Sequence, residues 1–449
     1  MNLDHDKVNP VRDKSLNGIN KSLKFSFLDG IFASSMVGFT QEYFTPFLLL
    51  LGATAKHIGA LSAFPNLFAS LAQLKSADLT EKLGSRKKII NIFVFLHALT
   101  LLPMVAIALL GGSRPLIFIF VVILFTSLGA LAIPAWSSLM SDLVEKDKRG
   151  QYFGWRNKSL GFIAVALTFI AGLILHLVRK INIFYGFAIL FGFAFIFRVI
   201  SWYFLTRMYE PLLIHREEDH FTLINFLSRI KESNFAKFVI FVSAMNFSVN
   251  LASPFFSVLM LKDLHFSYLQ YSLITISATL TVYLMIGRWG RHADRVGNIK
   301  VIRFVSPLIG LIPLLWIINR HPVFLFCAQV LSGFAWAGFN LCASNFIYDA
   351  VTPEKRTRCI SYFNVFNGLA LCFGALLGGL VLQKLPAIFG YKILALFLLS
   401  AILRLLVALL MPKKIKEVRM VEEITSDRLF FSIIGIKPHL GIERKTIRY

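Results

Sequence analysis

Acidic residues are scarce in this chain of 449 residues, where 24 Asp and Glu stand against 47 Lys and Arg. Cysteine is scarcer still. Cys327, Cys342, Cys359 and Cys372 all lie in or beside apolar runs, without the spacing of a metal site or a disulfide framework, and read as helix-packing residues. No GxxxxGK[ST] loop is present, so ATP does not drive this protein directly, no enzymatic activity is expected and no cofactor or metal is called for. The largest deficit is polar surface: 56% of the residues are apolar, 45 are Phe and the mean hydropathy is +0.68. That excludes two or three soluble domains, which need far more polar residues to cover them. A cleavable leader is not expected either, because the first 24 residues are polar and the first apolar run is too long.

What is present is a series of apolar runs, each long enough to cross a hydrocarbon core about 30 Å thick. Twelve spans are expected, at 26–52, 57–75, 89–110, 116–140, 159–178, 183–205, 238–261, 267–287, 301–318, 322–347, 359–382 and 391–411. The basic residues fall on one side of them. Of the 47 Lys and Arg, 37 lie in the arm 1–25, in alternate connections and in the tail 412–449, or at the helix ends beside them. Cytoplasmic loops retain Lys and Arg, so both termini are expected in the cytoplasm. The +23 net charge is therefore a topology signal with some attraction to anionic lipid, and nucleic acid is not a partner. Between the spans, 206–237 forms a cytoplasmic linker in which Phe221, Ile224, Leu227 and Ile230 share one side of a short amphipathic helix. The tail offers a second surface-seeking segment at 428–439, with a disordered tail as the competing reading.

An internal repeat organises the chain. FTQEYFTPF at 39–47 matches FSVNLASPF at 247–255, a shift of 208; EKLGSRK at 81–87 matches DRVGNIK at 294–300, a shift of 213; DLVEKDKR at 142–149 matches DAVTPEKR at 349–356, a shift of 207. The matched residues are charged, Gly and Pro, which apolar composition alone does not align. Two six-helix halves, 26–205 and 238–411, are therefore expected in the same orientation about an axis along the membrane normal, with a site near the midplane between them.

At these residues the chain resembles the major facilitator superfamily, and the resemblance covers essentially all of it. GRHADRVGNIK at 290–300 fits the family pattern G-x-x-x-D-R-x-G-x-x-[RK] after the eighth helix. The copy after the second helix is degenerate, with Ala77, Glu81 and Lys82 in the first places and Gly84 retained. The resemblance implies a cytoplasmic gate in which Gly290, Asp294, Arg295 and Gly297 work with Asp349 and Arg356, and Glu81, Lys82 and Gly84 with Asp142 and Arg149. The physics is a carboxylate at a helix N-terminus and a Gly in a tight turn. The drug-antiporter pattern G-x-x-x-G-P-x-x-G-G and the sugar-porter sequences PESPR and PETKG are absent, and the chain after helix six reads RMYEP. The subfamily is left open.

In this architecture helices 1, 4, 7 and 10 line the cavity. Glu42 lies in the middle of the first apolar run, and an ionisable group at that depth marks a pathway or a coupling site, unless it is a neutral acid bonded to a neighbouring helix. Ser35, Gly38, Glu42 and Thr45 share one helix face, and Ser243, Asn246, Asn250 and Ser253 share the equivalent face of helix seven. Facing stripes would make a hydrophilic binding cavity; helix-packing hydrogen bonds are the competing reading. Gln41, Thr45, Ser243, Asn246, Asn250, Asn340, Trp136 and Trp336 are the candidate substrate-binding residues, with ordinary packing as the alternative for the tryptophans. Asp29 is expected in reach of water beside Lys24, Arg198 and Arg404 are expected to snorkel, and His97 is expected to have no coupling part.

These readings converge on a secondary active transporter that works by alternating access as a monomer in a plasma membrane, the bacterial inner membrane. Glu42 would carry H+, with Na+ as the alternative ion, and drive uptake of a neutral or polar small molecule such as a sugar or nucleoside. Export by proton antiport and a non-transporting receptor or scaffold are the competing classes.

Overall fold

The computed structural model describes residues 10–145, 149–211, 233–351 and 353–418. The described residues hold no strand, as expected where only a helix or a closed barrel satisfies its own backbone groups. Helix α1 runs Pro10–Thr40 and resumes, after a 3-10 turn at Gln41–Tyr43, as Phe44–Leu50. It is followed by α2 (Ala55–Leu83), α3 (Arg86–Leu110), α4 (Pro115–Leu143), α5 (Arg149–Val178) and α6 (Ile183–Thr206). The second series is α7 (Asn234–Asp263, interrupted at 251–254), α8 (Tyr268–Val296), α9 (Asn298–Ile318), α10 (Pro322–Ala350), α11 (Pro353–Val381) and α12 (Lys392–Leu410). The linker stretch 212–232 and the tail segment 428–439 lie outside the described residues.

Among the described residues ten helices, α3 to α12, are long and apolar enough to cross a membrane, against the twelve expected. The two that fall short are α1, with Asp29 and a run of Ser residues, and α2, with Lys56, His57 and Asn66. Both are nevertheless packed into the same bundle. Several helices also run past the apolar spans: α5 starts at Arg149, ten residues before its apolar run. The basic ends of these helices continue the backbone ladder where it leaves the apolar layer.

Within the first series α1 packs on α5 and α6, α2 on α4, and α3 on α4 and α6; within the second, α7 packs on α11, α8 on α10, and α9 on α10 and α12. The two series meet along α2 with α11 and α5 with α8. Small residues permit that approach. A Cβ on Gly59 would lie 2.7 Å from the Ala375 carbonyl oxygen, and one on Gly379 2.8 Å from that of Ala55.

The cores show which end is closed. One cluster includes Tyr43, Phe47 and Leu51 of the first series and Phe255, Leu259 and Trp316 of the second, at the end bearing the α1–α2 and α7–α8 turns. At the opposite end the cores are separate: Ile89, Leu139 and Leu205 belong to one, Phe238, Val301 and Phe346 to another. The halves therefore share a sealed seam at one end and part at the other. Gly59→Val would wedge α2 from α11 near that seam. We expect a loss of about 1–3 kcal/mol of stability, read as a lower melting temperature, with greater labelling of cysteines introduced at the seam.

Candidate functional site

The break in α1 follows from Pro46. Proline has no N–H to give to the carbonyl four residues earlier, which is that of Glu42. The Tyr271 hydroxyl of α8 donates to that carbonyl instead, at 2.7 Å. Beside it the Tyr43 hydroxyl donates to the Thr168 carbonyl and meets Ser272 Oγ at 2.8 Å. Glu42 thus sits half-buried in the turn where α1 is tied to α8 across the seam. Among the described residues its carboxylate has no hydrogen-bond or ion-pair partner. Gln41 is exposed and Thr45 half-buried in the same stretch.

The two polar stripes do not face one another. Ser35 is buried and donates to its own helix at Ile31, and Gly38 backs onto α5, where a Cβ would lie 2.7 Å from the Ala164 carbonyl oxygen. On α7, Asn246 donates to Asn367 Oδ1 at 2.6 Å and Asn250 to the Leu371 carbonyl at 2.7 Å, both on α11. The repeat is obeyed in that each stripe packs on the matching helix of its own half. Ser243 Oγ is buried without a partner and Ser253 is exposed. A cavity of about 270 Å³ remains between α7, α10 and α11, lined by Asn246, Asn340, Asn364, Asn367, Phe339 and Phe363 among others, with no charged residue. Asn367 was not singled out by the sequence; it lies three residues after Asn364, one helical turn along α11, and that spacing is the signal that finds it. Trp336 stacks edge-on against Phe339 at 5.5 Å, outside the lining.

The first half holds a charged cluster in place of amides. Asp29 is 5% exposed, not reached by water beside Lys24 as expected. It accepts from Ser201 Oγ at 2.6 Å and lies 3.7 Å from Arg156 Nη2. Arg198 donates to Ser201 Oγ at 3.1 Å and to His97 Nδ1 at 2.9 Å, while the Arg156 guanidinium lies 4.6 Å from the centre of the Trp136 ring. Arg198 does not snorkel, and His97 is a buried partner rather than an isolated side chain. Arg404 is likewise buried, but it donates only to Ser400 Oγ and the carbonyls of Ile309 and Val249.

At the parted end the gate residues take different partners from those expected. Asp142 accepts from Arg86 at 2.6 Å, not from Lys82, which is exposed; Arg149 donates to the Ser141 and Val144 carbonyls that end α4. The side chains of Glu81 and Arg356 lie outside the described residues. Asp349 accepts from Asn298 at 2.9 Å, Arg295 is exposed, Asp294 has partners, and Gly290 makes ordinary contact with Leu341. Gly84 and Gly297 have φ of 60° and 89°, the left-handed turn that Gly suits.

Two carboxylates outside the expected set complete this end. Glu210 accepts from Ser85 Oγ at 2.6 Å and from the Arg86 backbone N–H at 2.7 Å, capping α3; Glu417 accepts from the Ile299 N–H at 2.8 Å, near the start of α9. They are 207 residues apart, the shift that relates Asp142 to Asp349, so the repeat would have found them. Each capping acid is placed against the positive end of a helix dipole. Glu210→Ala leaves those donors without an acceptor, and we expect a loss of about 1–3 kcal/mol, with Glu417→Ala behaving alike in thermal unfolding.

A family model described as Major Facilitator Superfamily matches residues 30–249 and 236–440. Among solved structures, the nucleoside transporter NupG superposes with a TM-score of 0.68 at 17% identity, covering 89% of this chain and 100% of that one. The human organic anion transporter MFSD10 (TETRAN) gives 0.58 at 14% identity, with 88% and 99% covered, and the peptide transporter POT in complex with sulfate gives 0.63 at 14%, with 87% and 93% covered. No curated protein sequence matches the chain. Two helical series of equal build, ten apolar helices and a family model that spans both place this chain in the Major Facilitator Superfamily, as a multi-pass membrane transporter and not an enzyme.

Proposed function

We propose that the protein takes up a neutral, polar solute by alternating access, coupled to protons through Glu42. The observation that carries the solute class is the cavity between α7, α10 and α11, about 270 Å³ in volume, lined by four asparagines and two phenylalanines and by no charge. Amides both donate and accept, which suits hydroxyl and carbonyl groups, and the aromatic faces suit a flat ring. That volume lies just below the range of about 300–1,000 Å³ usual for small-molecule sites. A sugar- or nucleoside-like solute fits these groups, and the fold shared with a nucleoside transporter agrees with that reading.

Coupling rests on where Glu42 sits. The seam tied by Tyr43 and Tyr271 closes on its carboxyl group, and a charge enclosed there is far less tolerable than a neutral acid. A proton taken from the side of the seam would favour the sealed state, parted at the end of the termini, and its release there would let the seam reopen. With both termini in the cytoplasm that cycle runs as uptake.

In liposomes with an imposed pH gradient, Glu42→Gln is expected to abolish gradient-driven accumulation while solute exchange without a gradient continues. Unchanged accumulation, or accumulation driven by sodium alone, would remove the proton assignment. Asn340 is exposed to the cavity and bonded to nothing else in the helices, so Asn340→Leu is expected to weaken solute binding by about three- to tenfold, the worth of one hydrogen bond. Its melting temperature without solute should stay unchanged.

A further inference from the structure

The charged cluster of the first half lines its own cavity, about 200 Å³ in volume, between α1, α3, α4, α5 and α6. Its titratable and charged groups are Asp29, Arg156 and Arg198, with His97 behind Arg198. His97 accepts through Nδ1, so that nitrogen carries no proton. Two guanidiniums against one carboxylate leave one positive charge unanswered. Arg156 and Arg198 are only 7% and 9% exposed, and Ile90, Val94, Ile133 and Leu205 supply apolar walls. A buried charge is costly where its hydrogen-bonding groups and its charge are not both answered.

The unsatisfied groups point the same way. Arg156 Nε and Trp136 Nε1 are buried donors with no acceptor, and they meet where the guanidinium covers the indole. Ser26, whose carbonyl accepts from Arg156, also has a buried hydroxyl with no partner. Arg156 Nη2 donates to that Ser26 carbonyl at 3.0 Å, while Arg404, in the other half, is held by Ser400 and two backbone carbonyls.

We propose that this cavity binds a small monovalent oxyanion, of the carboxylate class, between Arg156 and Arg198. The single excess charge sets the valence, and planar guanidiniums pair with planar carboxylates through two parallel hydrogen bonds. The space equals roughly six to seven waters at about 30 Å³ each in the liquid, enough for a carboxylate of a few carbons. The site is separate from the amide-lined cavity and does not depend on the solute assigned to it.

The test is thermal unfolding of the purified full-length protein, with sodium acetate replacing sodium chloride at constant ionic strength. Acetate should raise the melting temperature of the wild type saturably, as ligand linkage requires. Arg156→Gln should weaken the apparent acetate affinity by about tenfold or more, as expected for loss of a contacting charge at a partly buried site. Asp29→Asn should tighten it several-fold, because a competing carboxylate is gone. If Arg156→Gln does not fold, the Asp29→Asn arm decides: tightening supports the site and an unchanged affinity overturns it. Equal stabilisation by chloride and acetate, or equal shifts in all variants, also overturns it. Asn340→Leu should leave the acetate response as it is.

Discussion

A single freed carbonyl organises the sealed end of this transporter. Pro46 denies the Glu42 carbonyl its helical partner, and in an apolar layer an unpaired backbone group is not tolerated. Tyr271 of the other half satisfies it at 2.7 Å. One missing N–H thus breaks α1, places an acid in the resulting turn, and ties the turn to α8. The seam core of Tyr43, Phe47, Phe255 and Trp316 then closes around that tie. The matching proline, Pro254, stands at the interruption of α7 at 251–254.

The halves are alike in scaffold and different in chemistry. Each caps the helix after its Gly turn with a carboxylate from the chain beyond its sixth helix, Glu210 in one and Glu417 in the other. Each packs its polar stripe on its own fifth helix. Yet the first half buries Asp29, Arg156 and Arg198 together, while the second has an amide-lined cavity and a single Arg404 bound to neutral acceptors. The halves share their helices; the paired ions lie in one and the amide-lined cavity in the other.

At Gly59 and Gly379 α2 and α11 approach closely, with no bulky side chain between them. At the parted end the Arg86 and Asp142 pair lies within one half.

Much of this was legible in the sequence. Hydropathy and the repeat, with shifts near 208, determined an all-helical membrane chain of two similar halves, because periodic apolar runs and matched Gly, Pro and charged positions are properties of the chain itself. They also placed Glu42 in the middle of the first apolar run and drew attention to Asn246, Asn250 and Asn340. Partnership was another matter. Asp29, His97, Arg156 and Arg198 are far apart along the chain, on four helices, and read alone Asp29 is a flank, His97 a lone ring and Arg198 a snorkelling cation. The same holds for the stripes, since a helical wheel gives a face but not the neighbour it meets. Only the tertiary structure decided that the stripes turn inward to α5 and α11, and that the charges meet, because both depend on how helices rotate about their axes when small residues let them pack.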